Sequence, residues 1–332
     1  MTHTKPLFLT LGLVMLWQVA TCQFYKNQGY WKKDRLELIG GLGAANFLGE
    51  LGGRDRVGSD FIWDLETKQF KPAMTFGLRY TTSKSTKIRA QISYSVLAGD
   101  DALTTEKFRS NRNINFRSRS WEAAGIFEVI IRKVRPGHQY NLAGVKGQKP
   151  KDANFYAFAG LGILKYNPQG FLDNEWYDLQ PLGTEGQNFS DGADPYSLYS
   201  LVIPMGIGYR WRTINDNIMM GIEIGHRLTF SDYIDDVSTV YYDPAQLGNQ
   251  PGFTEFDNLL AQYFGDPSLG YYIDEEGTQV ALPGATNPGE QRGDSEDNDA
   301  YLFAQVTMSY KIAKRVYRKK VSLKKKGRKV VF

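Results

Sequence analysis

Lys87-Ile88-Arg89-Ala90-Gln91-Ile92-Ser93-Tyr94-Ser95-Val96 alternates polar and apolar side chains without a break. In an extended strand, neighbouring side chains point to opposite faces. One face of this stretch is therefore Lys, Arg, Gln and Ser, and the other is Ile, Ala, Tyr and Val. The same period runs through 218–230, where Ile218, Met220, Ile222, Ile224, Leu228 and Phe230 share one face and Glu223 and Arg227 the other. Segments of about ten residues are long enough to cross a bilayer as tilted strands. Working outward from these two, the pattern predicts eight strands: 34–45, 72–80, 87–96, 117–133, 153–166, 199–212, 217–230 and 299–312. Charged residues on one face of most strands and apolar residues on the other describe a sheet inverted relative to a soluble one. The expected fold is all-β, an eight-stranded antiparallel transmembrane outer-membrane β-barrel with long outer loops. An even strand number permits closure, which removes exposed sheet edges.

The alternation also sets the register. Met74, Phe76, Leu78, Tyr80, Ile88, Ile92, Trp121, Phe127, Ile207, Ile222, Leu302, Val306 and Tyr310 are expected to face lipid. Arg79, Arg89, Glu122, Glu128, Arg132, Arg210, Glu223 and Arg227 are expected to face the lumen as an ion-pair network, with Glu37, Lys87, Gln91 and Gln305 beside them. A slip of one residue would put Arg89 into lipid, at a cost of about 2–4 kcal/mol at the midplane. Eight-stranded barrels are just wide enough to be filled by side chains, so a salt-bridged plug is expected in place of a pore. Tyr80, Tyr166, Trp211 and Tyr310 fall near strand ends, where interfacial aromatic girdles form.

The chain begins with Lys5, an apolar run and then Ala20-Thr21-Cys22-Gln23, the form of a secretory signal peptide over 1–22. Cleavage before Cys22 would leave a lipidated cysteine, for which Thr21 is a poor preceding residue; the favoured cleavage between Cys22 and Gln23 leaves a mature chain without thiols, so disulfides and cysteine-based metal sites are not expected. The mature barrel region is 23–312, followed by a basic tail, 313–332.

Connection lengths orient the sheet. The links at 81–86 and 213–216 are short, with 134–152 a longer exception on the same side, whereas 46–71, 97–116, 167–198 and 231–298 are long. Barrels of this class have short periplasmic turns and longer outer loops, which puts both termini in the periplasm. The net charge of +4 conceals a split. The loop 167–198 carries six acids and no Lys or Arg; 231–298 is acidic with Arg292 its one base. The tail carries Lys314, Arg315, Arg318, Lys319, Lys320, Lys324, Lys325, Lys326, Arg328 and Lys329 and no acid. Such a tail suits anionic lipid heads or an acidic protein, or stays solvated; the signal peptide argues against nucleic acid. Within 231–298, Phe256, Leu259, Leu260, Tyr263 and Phe264 recur at helical spacing behind Thr254 and Asp257, which predicts a short capped helix on the barrel mouth. It serves either as a lid on its own barrel or as a surface for a partner.

Residues for catalysis are sparse. Glu122, Glu128 and Glu223 are expected to pair with Arg side chains and not to act as acid–base groups. His226 falls on the lipid-facing register, with Ser231 and Asp232 near it only in sequence. Asp232-Tyr233-Ile234-Asp235-Asp236 lacks the spacing of a calcium loop and reads as a solvated turn. No catalytic residue, metal, cofactor or small-molecule substrate is expected.

Several motifs resemble a known family. Asn46-Phe47-Leu48-Gly49-Glu50-Leu51, Pro72-Ala73-Met74, Pro181-Leu182-Gly183-Thr184-Glu185-Gly186-Gln187 and Ile203-Pro204-Met205-Gly206-Ile207-Gly208 carry the resemblance, and Arg227-Leu228-Thr229-Phe230-Ser231-Asp232-Tyr233-Ile234-Asp235-Asp236-Val237-Ser238 is its most specific part. Together they look like the outer-membrane barrel family of Bacteroidota that includes PorG, a component of the type IX (Por) secretion system. The resemblance implies a non-enzymatic anchor or assembly component. Its implied partners are outer-membrane lipid and a periplasmic secretion ring of PorK-like and PorN-like proteins. The loop 231–298 and the tail lie largely outside the resembling motifs.

Overall fold

The computed structural model describes residues 35–49, 51, 69–104, 106–134, 153–215, 217–274 and 276–312. The signal segment with Cys22 and Gln23, and the basic tail 313–332, lie outside the described residues.

In chain order the strands are β1 (Leu36–Leu48), β2 (Lys71–Thr81), β3 (Thr86–Asp100), β4 (Asn115–Val134), β5 (Ala153–Lys165), β6 (Pro168–Leu172), β7 (Glu175–Asp178), β8 (Tyr199–Arg212), β9 (Ile218–Thr229), β10 (Tyr271–Ile273), β11 (Gln279–Ala281) and β12 (Ala300–Ile312). The eight long strands β1, β2, β3, β4, β5, β8, β9 and β12 pair antiparallel with their neighbours, and β12 returns to β1, closing the barrel. Closure leaves no long strand with an unpaired edge. Among the described residues, three α-helices lie in the long loops: α1 (Lys107–Arg112), α2 (Pro244–Leu247) and α3 (Glu255–Gly265).

The expected two-faced strands are present. On β2, Met74, Phe76, Leu78 and Tyr80 point outward while Thr75 and Arg79 are buried inside. On β3, Ile88 and Ile92 point outward while Lys87, Arg89 and Gln91 are buried. Several strands are longer than expected: β3 continues to Asp100, and β4 spans 20 residues. The extra length lies at the long-loop end, and there the faces exchange character. Phe47, Leu97, Phe116, Val202, Tyr301 and Phe303 fill the inside with Leu51, Ile234 and Val237 from the loops. On the outside of β4, Arg119 stands exposed directly beyond Trp121. That reversal is what a strand passing from lipid into water requires, because above the bilayer the apolar face must turn inward.

Three expectations fail locally. A register shift between Ile130 and Arg132 turns the end of β4, so Arg132 is exposed and stays outside the lumen network. The bulge adds one residue, and everything beyond it changes face. Tyr166 is fully buried, donating to the Ser197 carbonyl at 2.6 Å, and is no girdle residue. Leu302 lies on the outward register but is buried in a cross-strand row with His226 and Asn46.

Candidate functional site

Two stacked layers fill the barrel. The lower layer is ionic. Arg79 reaches Glu128 at 2.8 Å, Glu37 at 3.3 Å and Glu223 at 3.4 Å. Arg89 reaches Glu223 at 2.7 Å and Glu128 at 3.3 Å. Lys87 binds Glu37 at 2.5 Å, and Arg210 lies 3.8 Å from Glu128 and 3.9 Å from Glu37. Above them Arg227 meets Glu122 at 3.4 Å, and Tyr301 donates to Glu122 at 2.8 Å. Arg79 and Arg89 sit directly opposite each other on β2 and β3, a like-charge pair that Glu128 and Glu223 bridge from β4 and β9.

Tyr156 holds this cluster together from β5. Its hydroxyl donates to Glu223 at 2.5 Å, and the Arg79 and Arg210 guanidiniums lie 5.8 and 5.1 Å from its ring centroid. The ring crosses over Gly208, its partner on β8, where any Cβ would collide with it. That glycine therefore serves close approach of an aromatic side chain, not a phosphate.

Over the apolar layer sits a cap made from three long loops. Arg292 locks it. Its Nη1 donates to Glu185 at 2.8 Å and to the Asp236 carbonyl at 2.6 Å, and its Nη2 to the Phe264 carbonyl at 3.2 Å. Arg112 pairs with Asp101 at 2.8 Å and donates to the Arg292 carbonyl at 2.8 Å. Glu185 also accepts the Ser238 and Thr239 N–H groups at 3.0 and 3.2 Å. Thr184 donates to the Asp236 carboxylate at 2.5 Å, and so does the Tyr196 hydroxyl, whose ring stacks on Tyr233 at 4.3 Å.

Burial dominates the electrostatics here. It pushes the Asp236 carboxyl up to about 6, although Arg292 pulls the other way. Burial also raises Asp101 against the pull of Arg112. Tyr196 lies well above the ordinary phenol value through burial and the neighbouring Asp236. For Arg292, burial alone would weaken the cation, but Glu185 and Asp236 outweigh it and the net shift is upward.

The expected helix is present as α3. Thr254 and Asp257 form a reciprocal capping box, so two N-terminal N–H groups are satisfied. Its buried face, Leu260, Ala261 and Phe264, packs with Leu179, Leu182 and Leu247. Phe256, Leu259 and Tyr263 stay exposed on the other face. The sequence did not reveal the hairpin β6–β7 beneath it, which brings Tyr177 to 6.2 Å from the Phe264 ring.

Motif segments far apart in the chain meet at this mouth. Asn46 to Leu48 close β1, Phe47 packs edge-on against Phe116 at 4.8 Å, and Leu51 joins Ile234 and Val237 in the apolar layer. The segment 232–236 is no solvated turn: Asp232, Ile234, Asp235 and Asp236 are all buried. Arg292, Arg112 and Asp101 tie the loops together; the sequence marked Arg292 only as the one base of an acidic loop, and Arg112 and Asp101 not at all. His226 is buried on the outward face between Met205 and Leu302, and Ser231 Oγ shares a 2.7 Å hydrogen bond with Tyr166. Among the described residues, no group of three or more His, Cys, Asp or Glu is arranged to hold a metal ion.

No family model and no curated protein matches the chain. Among solved structures, the chain is similar to the Neisserial surface protein A, with 8% identity over 83% of this chain and 97% of that one, at a TM-score of 0.33.

Proposed function

We propose that this chain is a non-enzymatic outer-membrane barrel acting as a structural and surface-interaction element, with its long-loop cap turned to the cell exterior. The observation that carries the reading is the combination of a lumen filled by ion pairs with a cap locked by Arg292. A barrel so filled offers no path for solute, which leaves its surfaces as the working parts. The cap presents exposed acids at Asp173, Glu175, Asp178, Asp191, Glu255 and Glu290. Protease shaving of intact cells tests it: cleavage within 231–298 while the barrel stays embedded is expected, and protection until the outer membrane is opened refutes the orientation.

A second reading is favoured by the convergence of 46–49 and Leu51 with the 181–187 and 227–238 motifs on one mouth. It is that of an anchor or assembly component of the type IX secretion system. In that role the periplasmic face, including Lys314, Arg315, Arg318, Lys319, Lys320, Lys324, Lys325 and Lys326, contacts PorK-like and PorN-like ring proteins. Deleting 313–332 is expected to abolish co-purification of the ring. Normal cargo secretion in a complete gene knockout would remove this role.

A further inference from the structure

The membrane boundary is marked on the outside of β4. Its outward positions from Trp121 to Ile131 are uncharged, and Arg119 follows immediately on the long-loop side. Lys165 of β5 is the direct cross-strand partner of Trp121, so Arg119 is its diagonal neighbour, a separation long side chains bridge. Arg119 and Lys165 are both exposed. Arg117 continues the row: it donates to the Gln169 side-chain oxygen at 2.8 Å and lies with its Cζ 3.9 Å from the Trp176 ring centroid. The carboxylate nearest along this hydrogen-bonded chain, Asp178, accepts from the amides of Asn167 at 2.8 Å and Gln169 at 2.7 Å. Below the cations lies Trp121, its ring tilted at 56° to that of Tyr94 with centroids 5.0 Å apart, and Ile92 and Ile163 are exposed beside them. Lys165 also lies 5.7 Å from the Tyr199 ring centroid.

At the other outward positions of this rim, Leu48 on β1, Pro72 on β2, Leu201 on β8 and Phe230 after β9 carry no charge, while Asp100 at the end of β3 is diagonal to Arg117 and its carboxylate accepts the Ala102 N–H at 2.9 Å. Three cations are thus gathered on one side of a barrel whose cap is acidic. They stand where headgroups meet acyl chains, above an aromatic and aliphatic wall. Charge complementarity selects an anionic lipid at this place, since basic groups just outside the hydrocarbon attract phosphate.

We propose that Arg117, Arg119 and Lys165 form a binding site for the phosphate of a phosphorylated glycolipid in the leaflet on the long-loop side, with its acyl chains on Trp121, Tyr94 and Ile163. The leaflet's identity rests on the orientation given under Proposed function; the site itself does not.

Native mass spectrometry of the full folded chain, released from non-ionic detergent, tests the site with lipid A, dephosphorylated lipid A and phosphatidylglycerol as probes. Retention of lipid A well above both other probes is expected, with a loss of roughly thirty-fold in the double variant Arg119→Gln, Lys165→Gln. Both residues are exposed, so the variant should keep the heat-modifiable mobility of a closed barrel. Arg35→Gln, at the opposite rim where Arg35 donates to the Tyr80 hydroxyl at 2.9 Å, should retain lipid A as the wild type does. Equal retention of the dephosphorylated lipid or of phosphatidylglycerol overturns the proposal. So does an unchanged double variant, or a loss confined to Arg35→Gln. A cap that proves periplasmic in shaving experiments would leave these detergent results unchanged, so the two failures are distinguishable.

Discussion

Glu128 shows how much rests on single side chains in the lumen. It has no exposed surface and faces Arg79, Arg89 and Arg210. Removing one member of a buried ion cluster strands the others in a poorly hydrated space. Glu128→Ala is expected to cost about 3–5 kcal/mol, read as a lower urea midpoint of the barrel in vesicles. Tyr156→Phe deletes one hydrogen bond to a carboxylate and should cost less, about 1.5–3 kcal/mol. The reverse order would mean that the charges are hydrated. Most of this cluster was legible because alternation fixes the face of each residue. Arg132 was misplaced because a one-residue bulge leaves no mark in an apolar-rich run such as Val129-Ile130-Ile131. Asp236 supplies a different test. Its folded-state carboxyl holds a proton up to about 6, above the ordinary carboxylate value, so the folded cap binds more protons than the unfolded one between roughly pH 4 and 6. The contribution to stability is full below about pH 4, falls as the pH rises to 6 and is flat beyond, about 3 kcal/mol in all. After correction for intrinsic rates, amides of 231–240 should exchange more slowly at pH 4.5 than at pH 7. Asp236→Asn should remove that difference.

At the scale of elements, the helix and the hairpin of the cap contrast. α3 was readable because apolar residues at i, i+3, i+4 and i+7 follow a Thr-x-x-Asp box. β6 and β7 were not, since they have five and four residues and too little alternation to separate from a loop. Their turn did carry a signal: Asp173 and Asn174 both adopt positive φ, 49° and 67°, as a tight two-residue hairpin turn demands. Gly170 of β6 leaves room for the Phe264 ring, so hairpin and helix interlock. Phe264→Ala should therefore loosen the cap by about 3–5 kcal/mol, and Thr254→Ala by about 1 kcal/mol. Limited proteolysis is the measurement: cleavage within 231–298 should accelerate in that order, while the barrel keeps its heat-modifiable mobility. Loss of the barrel itself in Phe264→Ala would show that cap and barrel fold as one unit.

For the whole molecule, closure was legible and the inner layering was not. The period-two pattern demanded a polar inside and an apolar outside, which holds along the membrane-crossing lengths. Beyond the bilayer the same period continues with its faces exchanged, and nothing in the alternation itself says where lipid ends. Phe47, Leu97 and Phe116 therefore fell into the loops 46–71 and 97–116, and Phe303 read as an ordinary strand residue, although they form an apolar stopper above the ions. This stopper matters for transport. A lumen crossed by ion pairs alone could let water through when side chains move, but an apolar layer beneath a locked cap adds a dewetted barrier. Every long strand contributes a buried side chain to one layer or the other, so opening a path requires disrupting both. Reconstituted in planar bilayers, the folded chain is expected to show no steady single-channel current at moderate voltage. Arg292→Ala, which unlocks the cap but leaves both inner layers intact, should remain silent as well. A porin-sized steady current from either form would mean that the layers part in a membrane, and the barrel would then have to be treated as a channel.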